Sequence, residues 1–259
     1  MIKPTTFFKF LLLLTTSLTL TTIKFDRVVA QSNAIPSEII SIVPKLDLAL
    51  NNRDVDLIEK YISPDFASRD GLNYQSLNDS LAKLWEKYPD LEYKTTIESG
   101  EKQGDRLVAV TVTKITGSYT VNNRPFQLNS TIKSEQIFEN DQLVQQNILE
   151  ERSEITSGDN PPEVEFDIPT KARPGQVFDF DVILQEPIGR DLVLGAVSEE
   201  KIDATLFAEP SSLELEALSA GGIFKRVIVP STGDDHWYSI ILIREGGIRM
   251  ITQRLIIDG

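Results

Sequence analysis

The chain has 259 residues, 41% of them hydrophobic, a formal net charge of −13 and not one cysteine. That length holds one large or two ordinary domains, and the missing thiols exclude disulfides, thiol nucleophiles and thiolate metal sites together. The acidic balance repels phosphate backbones and anionic lipid headgroups, which excludes nucleic acid and such membrane surfaces as primary partners.

Residues 1–30 have the order of a secretory signal: basic, then apolar, then small. Lys3 and Lys9 precede an apolar core from Phe10 to Leu14, which continues to Ile23 diluted by threonines. A polar stretch with Lys24, Asp26 and Arg27 follows and ends in Val28-Val29-Ala30. Ala30 and Val28 suit the small-residue pocket of a signal peptidase, so cleavage is predicted to leave Gln31 first and to place the protein in the periplasm or outside the cell. The alternative is a retained anchor, although the strongly apolar part is short beside the roughly 20 residues a spanning helix needs. Loss of this net +3 segment takes the remainder from −13 to −16. No later segment is apolar enough to span a bilayer, so the cleaved chain is not an integral membrane protein.

Helices come next. Ile39, Ile40, Val43, Leu46 and Leu50 share a helical face, with Pro44 predicted to kink this helix or start a new one. Asp54 can cap a second helix carrying Leu57, Ile58, Tyr61 and Ile62, stopped by Ser63-Pro64. In a third, Ser76 and Asp79 suggest a capping box ahead of Leu81, Leu84, Trp85 and Tyr88, with Trp85 and Tyr88 read as core. Long β-branched strands then span Leu91–Ser99, Arg106–Tyr119, Pro125–Glu139 and Gln142–Ile155. The predicted class for this half is α+β, with helices on one face of a curved antiparallel sheet.

Six turn-forming or helix-breaking residues, Ser157-Gly158-Asp159-Asn160-Pro161-Pro162, mark a linker between residues 31–156 and 163–259. Beyond it lie about seven short strand-like runs and no convincing helix, the pattern of an immunoglobulin-like β-sandwich without the Cys–Trp–Cys core. There the cluster Gly233-Asp234-Asp235-His236 reads as a turn into a strand ahead of a metal site, and no metal or other cofactor is predicted.

The run from Leu48 to Phe66, with its Asn51-Asn52-Arg53-Asp54 loop, Asp-capped second helix and Pro64-Asp65-Phe66, resembles the nuclear-transport-factor-2-like superfamily. The likeness covers about residues 34–156. It implies a cone of curved sheet wrapped on helices, as in ketosteroid-isomerase-like and SnoaL-like polyketide-cyclase-like proteins, with a pocket at the wide end. The outer face of such a sheet is a frequent pairing surface, so it also implies a homodimer as one arrangement. The whole chain is thus expected to be an α+β cone plus a C-terminal all-β immunoglobulin-like sandwich.

Enzymes of that superfamily place a carboxylate or histidine in the cone, often beside a tyrosine. The single histidine, His236, lies in the second half, which leaves carboxylate and phenol chemistry. Strand alternation offers Tyr93, Tyr119, Glu135, Asn147 and Glu151 as pocket-facing, and Asp65 lies near the mouth. No phosphate loop, nucleophile elbow or zinc-binding helix motif accompanies them. The resulting expectation is an exported, non-catalytic envelope protein that binds a small molecule or a protein in the cone, with the β-sandwich as spacer. The alternative is an isomerase, cyclase or hydrolase working through an Asp or Glu there.

Overall fold

The computed structural model describes residues 34–186, 192–203, 214–218 and 221–258. The export segment and its cleavage site at Ala30 and Gln31 lie outside them. Helix α1, Ser37–Asn52, passes through Pro44 without interruption and ends at Arg53 in the left-handed region. Its apolar spacing buries Ile39, Ile42, Val43, Leu46 and Ala49. Asp54 caps α2, Val55–Tyr61, by accepting the Leu57 N–H at 3.0 Å. The chain then enters β1, Ile62–Ser68, and helix α3, Tyr74–Lys87. The cap of α3 is Asn73, and Ser76 is the reciprocating third residue; the predicted start at Ser76 was one turn late.

Four long antiparallel strands follow: β2 Glu92–Gln103, β3 Arg106–Val121, β4 Arg124–Glu139 and β5 Gln142–Gly158. Asn122-Asn123 and Asn140-Asp141 turn the hairpins at positive φ, which asparagine and aspartate tolerate. The rest comprises β6 Val164–Asp167, β7 Lys171–Ala172, β8 Val177–Leu184, β9 Leu194–Lys201, β10 Glu216–Ala217, β11 Gly222–Ile228, β12 His236–Arg244 and β13 Gly247–Ile257. Among the described residues no helix is long and apolar enough to cross a membrane.

The pairing corrects the expected architecture. In place of a helix-covered cone and a separate immunoglobulin-like sandwich, one ten-stranded sheet crosses the junction. Its main order is β10-β9-β12-β13-β5-β4-β3-β2, with β1 paired to β5 and β7 to β13. Strand β5 runs on to Gly158, through the start of the expected linker, and pairs with β13 from Arg152↔Gln253 to Gly158↔Gly247. The crossing is built for glycine. A Cβ on Gly158 (φ +87°) would stand 2.1 Å from the Gly246 carbonyl oxygen, and one on Gly247 would stand 2.3 Å from the Pro161 Cα.

A second, three-stranded sheet, β11-β8-β6, covers one face of the shared sheet in the second half. Phe166, Phe180, Val182 and Val227 pack there against Tyr238, Ile240, Leu242, Ile251 and Leu255. Burial of each such side chain stabilises the fold by about 1.5–3 kcal/mol. In the first half the helices pack on the sheet, with Ile39, Leu46 and Ile58 against Leu107, Ala109 and Phe138. The polar loop after α1 pins that helix to β2. Asn51 exchanges two hydrogen bonds with the Tyr93 backbone, at 2.7 and 2.9 Å, and Asp47 accepts from the Thr95 N–H and hydroxyl.

Candidate functional site

The six predicted pocket residues go to different places. Tyr93 and Tyr119 face the helices, as alternation implied, but an apolar cluster of Leu81, Tyr88 and Leu91 with Leu77, Leu84, Ile115 and Leu128 encloses them. Tyr119 stacks on Phe126 at 4.9 Å and meets the edge of Tyr88 at 5.1 Å. Burial pushes the Tyr93 and Tyr88 phenols up to about 12.

Glu135 and Asn147 pair across β4 and β5 on the opposite face, where the Asn147 amide donates to Glu135 at 3.3 Å. Asp65 is exposed on β1, its N–H donating to Ser63 Oγ. Of the six, only Glu151 is a carboxylate directed toward the helix side of the sheet, opposite Ile132. Its Oε2 accepts from the Trp237 indole at 2.9 Å and from Arg254 Nε at 3.1 Å.

Arg254 is the centre of that arrangement and is 1% exposed. Its two terminal nitrogens fork onto Asp70 at 2.9 and 2.8 Å, and Nη1 also reaches Asp235 at 3.4 Å. Burial would favour the neutral form of the guanidinium, but the hydrogen bonds and charges of Asp70 and Glu151 prevail and keep it charged. Asp235 additionally accepts the Ile257 N–H at 3.0 Å and lies 3.8 Å from Arg69. The network therefore ties β13, β5, the turn before β12 and the β1–α3 loop, which is to say both halves of the chain.

Sequence reasoning missed this cluster. Its one available signal was an arginine beside the apolar run Leu255-Ile256-Ile257, where a charge must be paired to be buried. The Gly233–His236 cluster is divided by strand alternation. Asp235 points with Trp237 toward Arg254, Asp234 binds Lys201 at 2.9 Å, and His236 Nδ1 lies 3.3 Å from Glu199. No set of three metal-ligating side chains occurs among the described residues.

Open space lies elsewhere. A depression of about 730 Å³ runs between α1, the end of α2 and the β4–β5 turn, lined by Ser41, Ile42, Lys45, Lys60, Tyr61 and Asp141 among others. The Lys45 and Lys60 ammonium groups lie 6.0 and 5.4 Å from the Tyr61 ring centroid, within cation–π range. Gln142 closes the floor by donating to the last carbonyls of α2, those of Glu59 and Lys60. A second depression of about 470 Å³ adjoins it at Asn140 and Gln142 and is lined by Asp65, Arg106 and Glu139. Asp65 thus borders the second depression, outside the helix–sheet interior.

A family described as a domain of unknown function (DUF8623) matches residues 159–258. A search of curated proteins finds no match. Among solved structures, a SnoaL-like polyketide cyclase candidate from Jannaschia sp. CCS1 is 16% identical over 44% of this chain and 85% of its own, with a TM-score of 0.33. AclR, a hydroxylase candidate from Streptomyces galilaeus, is 17% identical over 43% and 77%, also at 0.33. An LEH-like epoxide hydrolase from M. tuberculosis is 11% identical over 43% and 81%, at 0.31. At these identities and scores the likeness carries no statement about superfamily or activity.

Proposed function

We propose that the protein is an exported binding protein, and that its ligand or protein partner sits in the groove between α1, α2 and the β4–β5 turn. The observation that supports a binding role over carboxylate catalysis is the fate of Glu151. The one helix-side carboxylate among the predicted residues is neutralised by Arg254 and fixed by Trp237, with no tyrosine among its partners. A general base must instead be free to take a proton from a bound molecule. The groove, which also carries Glu38 and Asp141, supplies charged and aromatic contacts for recognition. Two ammonium groups flank an aromatic ring, which suits an anionic group carried beside an apolar body.

Native mass spectrometry of the purified protein tests this reading. A retained molecule should be lost from the Lys45→Glu, Lys60→Glu double variant and kept in Glu151→Gln. Turnover of a retained molecule that stops in a folded Glu151→Gln variant would overturn it. Export is tested separately by N-terminal sequencing of protein recovered outside the cytoplasm: Gln31 as first residue supports cleavage, and Met1 supports a retained anchor.

A further inference from the structure

We propose that the protein forms a two-fold dimer by antiparallel pairing of β11 with β11 of a second copy, joining two three-stranded sheets into one of six. The free edges of the two sheets are managed unequally, and β11 is the exception. The N–H groups of Tyr93 and Thr95 on β2 are satisfied by Asn51 and Asp47 of α1. Strand β10 is two residues long, and β6 is four residues flanked by Pro161, Pro162 and Pro169. Short edges, proline and covering helices are the usual means of blunting an edge strand. Strand β11 has seven residues and no proline, and no described strand pairs with its outer side.

Its backbone is oriented for a partner. Gly221 accepts from Leu184 and Val229 donates to Gln176, so alternate positions from 221 to 229 bond to β8. Gly222, Phe224, Arg226 and Ile228 therefore turn their N–H and C=O groups outward. Two of these rungs, Phe224 and Ile228, carry exposed apolar side chains, and Arg226 between them pairs with Asp179 on β8. Phe224 is 61% and Ile228 68% exposed, with Val177 and Ile183 exposed on the same outer face of β8.

The sequence of β11 also selects the register. A two-fold centred on Lys225 would set Lys225 against Lys225, and one centred on Arg226 would set arginine against arginine; like charges directly opposite destabilise a sheet. Centred on Phe224, the rungs become Phe224 with Phe224, Arg226 with Gly222, and Lys225 with Ile223. The Phe224 ring already lies along its strand, its Cζ 3.2 Å from where a Gly222 Cβ would be. Arg226 of the second copy, opposite Gly222, therefore meets the face of that ring with no side chain in its way. A closed two-fold pair also consumes both exposed edges, where a head-to-tail contact would leave one open at each end.

The test is sedimentation velocity of the purified protein from about 1 to 100 μM, the range in which a modest interface reveals itself. A reversible dimer is expected, and Phe224→Lys should be monomeric, with the thermal midpoint that wild type shows at concentrations where it is also monomeric, because Phe224 is 61% exposed within its own copy. The cysteine-free chain allows a register test with single Phe224→Cys and Ile228→Cys variants and a short bismaleimide. Position 224 faces its own mate and should cross-link, whereas the two copies of position 228 stand eight residues apart along the strands, about 27 Å. A monomer throughout the range, a dimer that survives Phe224→Lys, or equal cross-linking at 224 and 228 would overturn the proposal.

Discussion

Arg254→Ala is the perturbation that probes the junction most sharply. The wild-type guanidinium is held by a two-pronged contact to Asp70, a bond to Glu151 at 3.1 Å and a longer one to Asp235 at 3.4 Å, all out of solvent. Truncation leaves three carboxylates gathered with no buried counter-charge, and breaking a buried ion pair from one side costs about 3–5 kcal/mol. With a urea dependence of about 2–3 kcal/mol per molar for a unit of this size, the midpoint should fall by about 1–2 M. Arg254→Lys should recover only part of the loss, because an ammonium cannot reproduce the fork onto Asp70. The loss should persist in about 1 M salt, since a buried pair is little screened. An Arg254→Ala midpoint within about 0.3 M of wild type, well below what the loss of a buried pair would produce, would refute the assignment.

Three further outcomes follow from the same geometry. Gly158→Ala places a side chain at positive φ against the Gly246 carbonyl, which should cost about 1–3 kcal/mol and be read as a lower thermal midpoint. Asn73→Ala removes the cap of α3 and should cost about 1 kcal/mol in urea unfolding, with Ser76→Ala costing less. Burial raises the Tyr88 and Tyr93 phenols from 10.0 to about 12, so the folded state holds protons that the unfolded state releases. Their contribution to stability is therefore complete below about pH 10 and lost between about 10 and 12; phenolate absorbance with increasing pH, compared with Tyr93→Phe, checks it.

The first half was legible to within a few residues wherever local chemistry decides. The Asp54 cap, the four long strands and the asparagine-rich hairpin turns all appear as read. Faces were harder, because a strand keeps its phase only while it is regular. Asn147 and Glu151 are four apart and would share a face by alternation, yet the register shift that leaves Leu149 between Ile148 and Glu150 puts them on opposite faces. The second half yielded its strands but not their partners. Nothing local in Gly247–Ile257 says that it pairs with β5, about ninety residues earlier. For the same reason the partner of Glu151 could not be found, since Arg254 and Asp70 lie 103 and 81 residues away along the chain. The groove at Lys45, Lys60 and Tyr61 likewise exists only once α1 and α2 are packed against the β4–β5 turn.

The central structural claim is that one sheet joins both halves into a single unit, with Glu151 spent on holding it together. Native-state hydrogen exchange tests this directly. Amides of 152–158 and 247–253 should share one opening free energy, equal to that of global unfolding, and both should lose protection together in Arg254→Ala. Exchange of 163–258 as a separate, less stable unit while the strands of 92–150 stay protected would contradict it.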